Sequence, residues 1–147
     1  MTDISRRNLL KGAAAMPLLP LLSFEKNEDN IQEVYKLVFN GDGKNSILYS
    51  VLSKYSKYTI FYKTNIWIYP KIGRLFGFDT FKNAKQKYTY TQIYRCLAKD
   101  VTYQEYMSCS DDSDIEKFWN SKDPSYKIPT PKGTVSFSAV KLIERVR

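Results

Sequence analysis

Asp111, Asp112, Asp114 and Glu116 place four carboxylates within one short segment. Hard oxygens at that density suit Ca2+. The ordered D-x-D-x-D-G spacing that ends in a bidentate Glu is missing, however. The same acids equally suit the first turn of a helix, where they meet the positive end of its dipole. Asn40-Gly41-Asp42-Gly43 is too short for a calcium loop and reads as a turn. A second acidic chemistry would be cleavage of a glycoside or of peptidoglycan by two carboxylates facing one cleft about 5–10 Å apart. Asp79, Asp100, Glu105 and Glu116 are candidates for it only by elimination, since no spacing brings two of them together.

The chain contains no histidine. That removes the commonest general base, the commonest transition-metal ligand and every imidazole triad. No dinucleotide fingerprint and no haem or cluster ligand set is present either. The expectation is therefore a protein with no catalytic, cofactor-binding or metal-binding residue to name, and no cofactor.

Lys54, Lys57, Lys63 and Lys71 interleave with Tyr55, Tyr58, Phe61, Tyr62, Trp67 and Tyr69. Rings stack on bases while lysines neutralise phosphates, so this composition suits single-stranded nucleic acid. It also suits sugars and anionic envelope polymers. Lys54, Lys57, Tyr62, Lys63, Trp67 and Tyr69 form the candidate binding surface. The competing reading is a half-buried hairpin, with Tyr58, Ile60, Tyr62, Ile66 and Ile68 turned into the core.

Cys96 and Cys109 are the two cysteines. On one straight helix they would stand about 20 Å apart, too far for a bridge. A break at Thr102 would let the chain fold back and pair them, closing a loop worth about 3 kcal/mol. The alternative is two separate buried thiols acting as small apolar groups.

The elements that must carry these residues can be read coarsely. Ile31, Val34, Tyr35 and Val38 recur at helical spacing and predict a helix over 28–39. A second helix is predicted over 46–55. The β-branched and aromatic runs 58–62 and 66–69 predict a hairpin around Lys63-Thr64-Asn65. Thr89-x-x-Gln92, Thr102-x-x-Glu105 and Ser113-x-x-Glu116 resemble capping boxes and predict helices near 90–99, 103–108 and 114–120. A closing strand is predicted over 134–143. The sum is a small single α+β domain with short helices, a central aromatic-rich β-hairpin and a C-terminal strand.

Charge is uneven along the chain. Residues 44–99 hold eleven Lys or Arg and one acid, whereas residues 100–126 hold seven acids and two lysines, within a net charge of +8.

Ser5-Arg6-Arg7-Asn8-Leu9-Leu10-Lys11 is followed by the weakly apolar run 12–22. This resembles a twin-arginine translocation signal, with Ser5, both arginines, Leu9, Leu10 and Lys11 in the pattern's order. Leu9 stands where Phe is commonest. A small-x-small cleavage site does not follow the apolar run, which leaves both a cleaved signal and a retained tether open. The resemblance implies residues 1–24 as signal or tether, residues 25–147 as the body, and the twin-arginine translocase as a partner. It also implies placement in the periplasm or on the periplasmic face of the inner membrane. An exported basic protein meets anionic envelope polymers, a membrane surface or an acidic protein rather than nucleic acid. The expected role is an exported binding or accessory module. The alternatives are a carboxylate-dependent cell-envelope hydrolase, or a cytoplasmic single-stranded nucleic-acid binder should the signal be fortuitous.

Overall fold

A computed structural model describes residues 30–41, 48–50, 56–86, 91–108, 111–121 and 127–147. The proposed signal, Ser5 to Lys11, lies outside the described residues, as do Lys54, Thr89 and Cys109. The body from Ile31 to Arg147 is one compact unit.

The domain is predominantly β, which corrects the expected α+β class. The segment predicted as the first helix is a strand, β1 (Ile31–Asn40). The reason lies in its burial. Val34, Leu37 and Val38 are all buried, so β1 is covered on both faces. Such a strand reads as a nearly continuous apolar run and loses the period of two that would betray it.

Three short strands follow: β2 (Leu48–Ser50), β3 (Phe61–Tyr62) and β4 (Trp67–Ile68). The predicted second helix thus contains a strand at 48–50. The predicted hairpin also fails in its partners. β3 pairs with β2 and β4 pairs with the last strand, not with one another. The turn between them is tight, with Asn65 at φ 65° and its N–H donating to Leu142 O at 2.8 Å.

β5 (Leu75–Phe78) leads into the one-turn helix α1 (Phe81–Ala84), which Thr80 caps by accepting from the Asn83 N–H. β6 (Gln92–Lys99), β7 (Thr102–Tyr103) and β8 (Tyr106–Met107) occupy the positions predicted as two helices. Here too a buried run (Ile93, Tyr94, Cys96 and Ala98) imitated a helix, and Thr102 sits in a strand instead of capping one. The helix predicted near 114–120 exists as α2 (Asp112–Asn120), but Asp111 caps it in place of Ser113, its side chain accepting from the Asp114 N–H at 2.8 Å. β9 (Ile128–Pro129) pairs with β8. The closing strand is present as two strands, β10 (Thr134–Phe137) and β11 (Ala139–Arg145).

The pairings close on themselves. β1 pairs with β6 in eight antiparallel steps from Ile31↔Lys99 to Val38↔Gln92. β6 pairs on its other edge with β11. β6 runs into β7, and β10 runs into β11, at one shared corner. Beyond that corner β10 pairs with β7 and β5. β5 returns to β1 through Tyr35↔Phe78.

The corner is held by polar groups. Asp100 takes φ 55° and accepts from the Ser138 hydroxyl at 2.7 Å. Arg74 Nε donates to Ser136 Oγ at 2.8 Å, and its Nη2 donates to the carbonyls of Ser136 and Asp100.

Two apolar clusters result. The larger gathers Val34, Val38, Tyr62, Leu75, Cys96, Phe137 and Leu142 with their neighbours. The smaller packs Leu37, Phe78 and Ile93 beneath Ala84 of α1.

Candidate functional site

The alternation of β1 puts Lys36 on the face shared by Val34 and Val38, against Tyr94 and Cys96 of β6. The lysine is consequently buried, 6% exposed. Its Nζ donates to Phe76 O at 2.7 Å and lies 5.4 Å from the centroid of the Tyr62 ring. Burial lowers its pKa to about 8. The Cys96 thiol in the same cluster donates to Tyr94 O at 3.3 Å, and burial pushes it up to about 12. That thiol is fully buried and has no disulfide partner among the described residues, and the candidate bridge to Cys109 lies outside them.

Lys36 opens onto a cavity of about 150 Å3. Ile60 and Tyr62 form one wall, Leu75, Phe76 and Gly77 of β5 another, Met107 and Ser108 an end, and Ile115 and Trp119 of α2 the roof. The lining is mostly apolar, and no carboxylate belongs to it among the described residues. Hydroxyl side chains of Ser56, Tyr58, Thr59, Tyr62, Ser108 and Thr134 interrupt the apolar lining. Of these, Tyr62 Oη and Ser108 Oγ are buried and have no hydrogen-bond partner among the described residues. Burial raises the Tyr62 phenol well above the usual tyrosine range, so it stays protonated and available as a donor.

The roof is fixed by three devices. Trp119 stacks on Phe76 with ring centroids 5.8 Å apart and meets Phe118 edge-on at 5.0 Å. Gly73, at φ 58°, lets the indole lie directly on the backbone, because a Cβ there would stand 2.0 Å from the Trp119 ring. Polar ties then bind α2 to the segment before β3. Ser56 Oγ donates to Asp112 Oδ1 at 2.5 Å, Lys57 Nζ pairs with Glu116 at 2.9 Å, and the Tyr58 hydroxyl donates to Glu116. The Tyr58 hydroxyl first, and Lys57 second, hold the Glu116 carboxyl below the usual glutamate range.

The residues singled out from sequence scatter over this framework. Tyr62 is in the cavity wall. Lys57 is committed to Glu116. Lys63 is exposed, as is Tyr69 at 58%. Trp67 lies half-buried on β4, with Lys99 Nζ and Lys141 Nζ at 4.4 and 5.1 Å from its ring. Tyr62, Trp67 and Tyr69 therefore do not share one surface. Three of the four acids of the cluster are spent on structure, Asp111 capping α2 while Asp112 and Glu116 tie it down, and Asp114 is buried within α2. Asp79 holds Asn83 and accepts from the Tyr103 hydroxyl. Asp100 belongs to the sheet corner.

Lys36, Ser108 and Trp119 had not been singled out. For Lys36 a signal existed: a lone charge inside the apolar run Val34 to Val38. Read as a helix, that lysine falls on the solvent face; read as a strand, it falls inside. No family model, no curated protein and no solved structure matches this chain.

Proposed function

We propose that this protein is an exported binding module that holds a small, mostly apolar ligand in the cavity beneath α2. The observation that carries the reading is the cavity itself, a mostly apolar space of about 150 Å3 whose lining includes one buried cation, Lys36, and two buried hydroxyls without a partner among the described residues. Few converging polar groups on an apolar lining is the usual make-up of a small-molecule site. A space of this volume takes a benzene-sized body. The motif Ser5-Arg6-Arg7 to Lys11 supports delivery by the twin-arginine route. The lining offers binding groups and no pair of carboxylates, so a hydrolytic role draws no support from it.

Trp119 reports on occupancy because it forms part of the roof. With Trp67→Phe, it is the sole remaining tryptophan. Titration of that variant with toluene is expected to change the Trp119 emission saturably. A linear, non-saturating response to the solubility limit would remove the reading.

A further inference from the structure

We infer that the ligand is a small amphipathic monoanion, a carboxylate on a ring-sized apolar body, with its head on Lys36 and its body under Trp119. The inference rests on the cavity being a ligand site, and it adds the chemical class of the ligand. Four observations carry it.

First, Lys36 is a buried cation whose partners among the described residues are neutral, the Phe76 carbonyl and the face of the Tyr62 ring. A buried charge is ordinarily matched by an opposite one. No acid lines the space among the described residues, and the other charged groups there, Lys71 and Arg74, are also cations. Second, Tyr62 and Ser108 line the same cavity, and the hydroxyl of each is buried without a partner among the described residues. Each can donate to an oxygen, and two hydroxyls beside an ammonium make a donor set for a carboxylate.

Third, Arg74 is not free to serve as a second anchor, since its guanidinium is spent on Ser136 and the Asp100 carbonyl. Lys71 is exposed, which leaves Lys36 as the one buried cation, and one buried cation suits one negative charge, which argues for a carboxylate over a doubly charged phosphate. Fourth, the remaining lining is apolar and includes Ile60, Leu75, Ile115 and Trp119, which suits a hydrocarbon body and offers little to a sugar.

Benzoate and its neutral isostere benzamide test this on the full chain, by calorimetric titration between pH 6.5 and pH 10. Benzoate stays ionised throughout, so only the protein changes charge. Benzoate is expected to bind at least tenfold more tightly than benzamide at pH 6.5. Its affinity then falls by about tenfold per pH unit above pH 8 as the free lysine loses its proton, while that of benzamide does not. In Lys36→Met the preference disappears and benzamide binding persists. Equal binding of both compounds with no fall above pH 8 overturns the monoanion and leaves the apolar cavity standing. Absence of binding by either compound, together with an unresponsive Trp119, overturns both readings. The comparison in the unaltered protein decides the matter even if Lys36→Met does not fold.

Discussion

The Lys36 ammonium donates to the backbone carbonyl of Phe76 at 2.7 Å, across the space between β1 and β5, where the two strands share only the pair Tyr35↔Phe78. The bond satisfies one of its protons in a surrounding that penalises the charge. The folded protein lowers this lysine from 10.5 to about 8, equivalent to roughly 3 kcal/mol of strain at neutral pH. Between those values the unfolded chain binds more protons than the native one, so stability rises with pH across that window. Removing the lysine also removes a hydrogen bond worth about 1 kcal/mol. Lys36→Met is therefore expected to be about 2 kcal/mol more stable than the natural protein at pH 7. The difference should shrink as pH approaches 10.5. Urea unfolding at pH 7, 9 and 10.5 measures it, and a gap that does not narrow would contradict the buried charge.

Gly73→Ala should disturb the roof. The added methyl meets the Trp119 ring at 2.0 Å, and φ 58° strains any side chain at that position. A loss of about 2–4 kcal/mol is expected. In the Trp67→Phe background the emission of Trp119 should shift to longer wavelength as the indole is pushed toward water. Unchanged emission and midpoint would show that Trp119 does not rest on this glycine.

The polar ties of α2 should weaken in acid. The folded protein holds Glu116 below its unfolded value, so its contribution is present at neutral pH and is lost as pH falls through the folded value. Amide exchange in α2, normalised for its intrinsic pH dependence, should then lose protection ahead of β6. Glu116→Gln should lower α2 protection at neutral pH and remove most of the acid effect. Acid loss of protection that is the same in both proteins would point elsewhere.

Arg74 holds the bend shared by β6–β7 and β10–β11. Arg74→Met leaves the fully buried Ser136 hydroxyl without its donor. A cost of about 2–3 kcal/mol is expected, with little rescue by Arg74→Lys, which cannot reproduce the fork. Chemical denaturation of the three proteins is the check, and full rescue by lysine would dismiss the fork geometry.

The proposed export rests on the motif from Ser5 to Lys11. A reporter fused after Phe24 should reach the periplasm, and changing Arg6 and Arg7 to Lys should leave it in the cytoplasm. Continued export of the double variant would refute the twin-arginine assignment.

Sequence patterning conveyed local chemistry better than topology. Asp111 to Glu116 read correctly as an acidic helix start, and the strand after Pro131 was visible from its β-branched residues. β1 and β6 were misread because burial on both faces erased the alternation that marks a strand. The ring of pairings was hidden for a different reason. The ring joins β1 with β6 and β5, and β5 with β10, segments far apart in sequence, and the two-residue β4 likewise pairs with the distant β11, so no local signal fixes these partners. The cavity was out of reach because it is assembled from β1, β3, β5, Ser108 and α2. Once β1 is read as a helix, Lys36 faces water and the site vanishes.

Methyl-resolved NMR during titration with benzoate at pH 6.5 examines the central claim most directly. Shifts confined to Ile60, Leu75, Met107 and Ile115 are the result predicted for a ligand seated between Lys36 and Trp119. Shifts absent from those methyls, or centred instead on Ile68, the neighbour of Trp67 on β4, would contradict it.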